Sequence, residues 1–238
     1  MHAPYGLEPI DSCEDCKQKG NAFFRQLSPA AVKELDAVKS SATYPARAVL
    51  YIEQQESRGV FILCSGKVKL SITSSAGRAL ITRLAKPGEV LGLMATMSGT
   101  PYEVTAETIY PSQVMFVRRD DFLRLVAKYP EMQQAVIKEF ATLYTGACEQ
   151  LRTVGLAASA REKLARLLLG WCADGKQTNQ GTQITVPLTH EEIAEFAGIT
   201  RETVTRILNE FKAKHLLTLQ GSTLRIANRA ALENFATA

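Results

Sequence analysis

Between residues 42 and 118 no pattern lasts longer than a strand, and this constrains the fold more than any other feature of the chain. The runs "RAVLYIE", "GVFILCSG", "KVKLSITSS", "RALITRLAK" and "SQVMFVRR" are broken near Gly59, Gly66, Gly77, Gly88 and Gly92. Strand-length segments with turn glycines roughly every ten residues predict an antiparallel barrel or sandwich. Helical patterns flank it. Ser28 and Pro29 open "SPAAVKELDAV" as N-cap and first helical residue. Residues 120 to 155 read as helical, and Met132, Val136, Phe140, Leu143, Ala147, Leu151 and Val154 form an apolar seam close to the 3.5-residue repeat of a coiled coil. Such a seam asks for cover, either from a partner helix or from the β domain itself.

The chain thus reads as α+β, with boundaries at 1–27 for an N-terminal arm, 28–128 for the β domain, 129–155 for a long helix and 156–238 for a small α/β tail. That tail begins with the helix "SAREKLARLLLGWCADG", continues through a short strand "QITVPL" and two short helices, and ends in "LLTLQGSTLRI", a hairpin pattern turning at Gly221-Ser222.

The tail carries the most specific signal. Thr189 followed by Glu192 is a capping box that starts a helix at His190. That helix stops at Gly198, and Thr200 caps the next one, which runs to about Lys214. Two helices joined by a short glycine turn make a helix-turn-helix. With Arg201 set at zero and about 100° per residue, Thr205 lies near 40°, Glu202 near 100° and Arg206 near 140°. Val204, Ile207, Leu208 and Phe211 fall on the other side, between about 240° and 340°. Two guanidiniums beside a carboxylate match base readout in the major groove, arginine to guanine and glutamate to cytosine. Thr189, His190, Thr200 and Thr203 stand where helix starts can hold phosphates. A solvated face with intrahelical Glu–Arg pairing is the plainer alternative. From Leu188 onward six Lys or Arg face six acids, so specific contacts rather than bulk attraction must carry recognition.

At this point the sequence resembles the CRP/FNR family of bacterial transcription regulators over about residues 22 to 235. The stretch "LTHEEIAEFAGITRETVTRILNEFKAKHLL" carries the likeness, with "PGEVLG" and "SGKVKL" as weaker marks. The resemblance implies an N-terminal antiparallel β-roll of the cyclic-nucleotide-binding type (jelly-roll-like) acting as sensor, a long dimerisation helix along the seam, and a C-terminal winged helix-turn-helix. It implies a homodimer on double-stranded DNA that works with RNA polymerase. Arg201, Glu202, Thr205 and Arg206 would read bases of a palindromic TGTGA-like operator.

Effector chemistry departs from the family. The effector pocket implied by the resemblance comprises Gly88, Glu89, Gly92, Leu93, Tyr102 and Glu103. Leu93 stands where cyclic-AMP-binding members carry a ribose-binding Glu, and Tyr102-Glu103 replaces their Arg-Ser pair. A phosphate buried beside Glu103 without a guanidinium is unfavourable, which argues against cyclic AMP. The iron–sulfur members space their cysteines C-x2-C-x5-C plus a distant fourth. Cys13 and Cys16 fit the first spacing, but Ala22 and Met115 take the other places, which argues against a four-cysteine cluster.

Cys13 and Cys16 remain open as a redox pair, a shared metal site or an inert remnant in a mobile arm. Cys64, Cys148 and Cys172 read as small core residues. An oxidoreductase would need its C-x-x-C to open a helix in a βαβ setting, whereas here it precedes an all-β region. His2, His190 and His215 are isolated, with no metal or catalytic spacing, so the expectation is a regulator and not an enzyme. The chain of 238 residues carries a net charge of +4, which permits an anionic partner without demanding one. No apolar run reaches the length of a membrane span and the start lacks a secretory signal, so the expected location is the cytoplasm.

Overall fold

The computed structural model describes residues 4–7, 10, 12–14, 23–172, 175–179, 181–186 and 188–236. Regular structure runs through α1 (Pro29–Val38), β1 (Lys39–Tyr44), β2 (Val49–Tyr51), β3 (Gly59–Ser65), β4 (Val68–Thr73), β5 (Ala79–Ala85), β6 (Val90–Leu91), α2 (Leu93–Ser98), β7 (Thr105–Thr108) and β8 (Ser112–Arg118). It continues with α3 (Arg119–Lys128), α4 (Pro130–Leu151), a π turn (Arg152–Leu156), α5 (Ala160–Cys172), β9 (Lys176–Thr178), β10 (Gly181–Thr185), α6 (His190–Ala197), α7 (Arg201–Ala213), β11 (Leu217–Gln220), β12 (Thr223–Ile226) and α8 (Arg229–Ala236). Two compact units result, Met1–Ser74 with Thr82–Gly146, and Ser75–Ile81 with Ala147–Ala238.

In the first unit, two antiparallel sheets with strand orders β1-β8-β3-β6 and β2-β7-β4-β5 make the roll. β3 is apolar at nearly every position because both of its faces are covered. Val60, Ile62 and Cys64 face a cluster built with Met115 and Val117 of β8, α1, Phe122 and Leu125 of α3, and the start of α4. Phe61 and Leu63 point the other way, into a second cluster with Tyr51, Val68, Leu70, Leu91, Tyr102, Ala106 and Val114. The pairings Ile62↔Met115 and Leu63↔Val114 hold this alternation in register, since a one-residue slip would exchange the two faces.

The stretch expected to be helical from 120 to 155 is built of two helices and a π turn. Pro130 lacks a donor and pushes Tyr129 to φ −114°, ψ 109°, which ends α3. The expected seam is corrected at its first three residues. Met132 and Val136 are buried in their own unit's core and Phe140 packs against it, so these residues are internal and unavailable to a partner. The large apolar residues that α4 exposes are Ile137 and Tyr144, each one position past an expected seam residue, and Leu151 of the expected seam itself, at 64, 74 and 69 % exposure. With the exposed Ala141 and half-buried Cys148 they are separated by 4, 3, 4 and 3 residues.

In the second unit, a sheet of order β11-β12-β10-β9 stands with α5 to α8. β11 and β12 close over Gly221-Ser222 with Gln220 opposite Thr223, the two-residue hairpin the sequence predicts. Phe211 is fully buried and its ring lies 5.3 Å from Phe235, so α8 closes the core beneath α7. Among the described residues no helix is long and apolar enough to cross a membrane.

Candidate nucleic-acid interface

Local chemistry sets the two helices of the second unit. Thr189 Oγ1 accepts from the backbone N–H of Glu192 at 3.2 Å, and Glu192 Oε2 accepts from the N–H of Thr189 at 2.9 Å. Each end of the box satisfies a donor that the first turn leaves open. Gly198, at φ 64°, takes the left-handed conformation that ends α6. Thr200 Oγ1 then accepts from the Thr203 N–H at 3.3 Å and starts α7.

α7 presents the faces expected of it. Val204, Ile207, Leu208 and Phe211 are buried, while Arg201, Glu202 and Arg206 are exposed. Arg201, Glu202, Thr205, Arg206 and Asn209 together line one open concave surface. Among the described residues no ion pair engages Arg201, Arg206 or Glu202, so the intrahelical Glu–Arg pairing of the plainer alternative is not formed. The acid beyond Arg206, near 180° on the same wheel, behaves otherwise: Glu210 accepts from Arg161 at 2.9 Å and from Lys214 at 3.0 Å. Glu202 is held below the ordinary carboxylate range by its own backbone N–H and the Thr200 hydroxyl, with Arg201 adding to them, and so stays an acceptor.

Two of the predicted contacts take on other duties. The Thr189 hydroxyl donates to Glu192 Oε2 at 3.1 Å, so its proton is committed to the cap. The Thr205 hydroxyl donates to the carbonyl of Arg201 at 3.1 Å and lies 2.9 Å from His190 Nδ1. It has no proton left for a base, and only its methyl group remains for readout. Thr200 and Thr203 share one hydrogen bond at 3.0 Å, and the other hydroxyl proton of the pair is the one Thr200 directs at Glu202. Asn209 and Lys212 escaped the sequence reading. The same rotation puts them near 80° and 20°, within the Arg201–Arg206 face, so extending the wheel by two turns would have found them.

The residues expected around an effector do not converge. Gly88 donates to the Leu63 carbonyl at 2.7 Å. Glu89 pairs with Arg83 and also accepts from the Lys86 N–H at 3.0 Å. Leu93 faces the helix-covered cluster, whereas Tyr102 enters the roll interior, and Glu103 is exposed. Gly92, at φ 70°, lies so close to Tyr102 that a Cβ would stand 2.6 Å from its ring. The interior is filled by aromatic packing. Tyr102 stacks on Tyr51 with centroids 4.1 Å apart, and Phe61 lies 5.4 Å from Tyr51 and 4.8 Å from Phe116. The Tyr102 hydroxyl donates to the Gly59 carbonyl at 2.8 Å and accepts from the Arg58 N–H at 3.2 Å. These residues do not fit a cyclic nucleotide.

Cys13 is wholly buried, not part of a mobile arm; its Sγ lies 3.7 Å from Met115 Sδ and its N–H donates to Asp36 at 2.8 Å. Cys16 lies outside the described residues. Cys64 and Cys172 are buried as expected, while Cys148 is half-buried on α4. A thioether beside the one described thiol of the C-x-x-C pair does not fit a four-thiolate cluster. Among the described residues no three His, Cys, Asp or Glu side chains stand together to hold a metal ion.

Comparison with known proteins agrees with both units. Residues 42–129 match the cyclic nucleotide-binding domain model and residues 162–235 the Crp-like helix-turn-helix domain model. The chain is 28 % identical to the transcriptional activatory protein AadR of Rhodopseudomonas palustris, covering 99 % of this chain and all of that one. It is 25 % identical to the cyclic AMP receptor protein of Thermus thermophilus, over 92 % of this chain and 98 % of that one. Among solved structures, FixK2 of Bradyrhizobium japonicum matches with a TM-score of 0.74 at 24 % identity, covering 84 % of this chain and 98 % of that one.

Proposed function

Because the chain belongs to the CRP/FNR family of DNA-binding transcription regulators, we propose that it acts as a homodimer on a palindromic operator with TGTGA-like half-sites about one helical turn apart. One observation carries this reading. Arg201, Glu202 and Arg206 project from a single rigid helix whose opposite side is locked into the core, and none of the three is held in an ion pair. Each guanidinium can donate two hydrogen bonds to O6 and N7 of guanine, and the carboxylate can accept from the amino group of cytosine. His190 and the backbone N–H groups that open α7 at Thr200 set the register on phosphates. The 137–141–144–148–151 stripe, exposed except at half-buried Cys148, supports a parallel pairing of two α4 helices, because a 3.5-residue repeat keeps one face turned to its partner. Self-packing of Tyr51, Phe61 and Tyr102 supports a sensor whose effector is not cyclic AMP. Burial of Cys13 supports a structural role for that thiol, since a reactive cysteine needs access.

Binding-site selection from random duplexes tests the proposal. An inverted repeat with G·C pairs in each half-site is expected. Replacing Arg201 or Arg206 with Ala should cost about 1–3 kcal/mol and relax preference at one position per half-site. Selection returning no inverted repeat overturns the reading.

A further inference from the structure

The side chains between α6 and α7 leave one hydrogen-bond account to settle. Thr205 Oγ1 carries a single proton, and it lies 3.1 Å from the Arg201 carbonyl and 2.9 Å from His190 Nδ1. A carbonyl can only accept, so the hydroxyl donates there and must accept from the imidazole. Both contacts are hydrogen bonds only when Nδ1 carries the proton. In the neutral ring Nε2 is then a bare lone pair, which repels a phosphate oxygen. In the protonated ring Nε2–H is a charged donor of fixed direction, because Thr205 holds the opposite edge.

The charged groups that bear on this ring are cationic. Arg201 and Lys212 of α7 both act on it, and Glu191, next in sequence on α6, is exposed. Neither Arg201 nor Lys212 is held in an ion pair among the described residues. Thr205, Lys212 and Arg201 lie within about 40° of one another on α7. A half-buried imidazole acted on by two cations that no ion pair engages is an arrangement that an anion completes.

We propose that His190 is a proton-linked phosphate contact, oriented by Thr205 as a positioning residue and assisted by Lys212, so that each protomer takes up a proton as it engages the DNA backbone. This rests on the reading of α7 as the DNA-facing helix. The sign follows from the two environments. In the free protein the imidazole titrates below its ordinary value, first because it is half-buried and then because Lys212 and Arg201 repel a third positive charge. A phosphate beside Nε2 reverses that balance and raises it. DNA affinity therefore rises as pH falls from the higher value in the complex to the lower one in the free protein, and is flat outside that window.

The test measures affinity of the full-length protein for its selected operator by fluorescence anisotropy, at fixed salt, from about pH 5.5 to 8, within which histidine titrates. Tighter binding at the acidic end is expected, with a slope approaching tenfold per pH unit per protomer. Calorimetry in buffers of different ionisation enthalpy should show uptake of up to one proton per protomer. His190→Gln should remove the slope and the proton uptake while unfolding at an unchanged temperature. His190→Arg should bind tightly at every pH, and Thr205→Val should reduce the slope without removing it. A slope unchanged in His190→Gln, or specific wild-type binding with no slope, overturns the proton link and leaves the DNA reading standing. Failure to bind any inverted repeat at any pH overturns both.

Discussion

In the β-roll unit the polar groups nearest the Gly88–Gly92 turn are bonded inward: Glu89 to Arg83 and the Lys86 N–H, Tyr102 to Gly59 and Arg58. On α7 of the winged-helix unit Arg201, Glu202 and Arg206 are exposed and without ion pairs, and Glu202 is bonded only within its own first turn. Side chains that satisfy one another stabilise a fold and have little left for a ligand. Side chains held rigidly but unsatisfied are a recognition surface waiting for donors and acceptors from outside. A substitution in the roll interior should therefore register as lost stability. One on the outward side of α7 should register as lost binding with stability intact.

The largest effect expected is at Phe211, which belongs to both categories because it anchors the rod that carries the outward groups. Phe211→Ala removes a fully buried ring packed on Phe235 and should cost about 3–5 kcal/mol in urea denaturation, taking operator binding with it. A variant that lost the stability yet kept wild-type affinity would break the link between rigidity and readout. Next comes Tyr102→Phe, which deletes one hydroxyl and leaves the Gly59 carbonyl and the Arg58 N–H without that partner. A loss of about 1–3 kcal/mol is expected, with operator affinity unchanged under conditions where the protein is folded. If this variant instead kept its stability and bound operator less well, Tyr102 would be part of a signalling site, and the contrast between the two units would fail.

The same contrast explains what could be read in advance. Thr189, Glu192, Gly198 and Thr200 act on neighbours within four residues, and the faces of α7 follow from rotation alone, so this half of the site was legible residue by residue. The roll's strands were legible too, because β3 and β8 carry their apolar character in the chain itself. Long-range packing was not. α4 bears two interleaved apolar stripes, and nothing local decides whether Met132 and Val136 or Ile137 and Tyr144 turn toward the sheet. Leu93 and Tyr102 are nine residues apart and were expected to share a pocket, but α2 sends Leu93 to the helix-covered cluster while Tyr102 returns to the interior. Thr205 was misjudged for a smaller reason. It lies on the outward side, but its one proton goes to the Arg201 carbonyl and its oxygen accepts from a histidine fifteen residues away.

Glu139 gives the smallest effect and the sharpest comparison, because it is the one half-buried carboxylate of α4 that faces the inward-bonded groups of the roll. Burial raises its pKa first, the charge of Glu89 raises it further, and Arg83 and the Val90 N–H pull the other way. Arg83 is already matched by Glu89, so the net direction is upward. A carboxyl whose folded value lies above its unfolded one makes the native state bind more protons than the unfolded chain between the two. Its contribution to stability is fully present below the unfolded value, and is lost as pH rises through the folded one. Glu139→Gln keeps an acceptor for the Val90 N–H and removes the charge. It should raise the urea midpoint near neutral pH, leave it unchanged in acid, and flatten the pH dependence in between. A midpoint that drops at neutral pH would mean the ionised carboxylate is bonded as usefully as those of the helix caps. The roll would then hold a charged site after all, in place of the self-satisfied interior that sets it apart from α7.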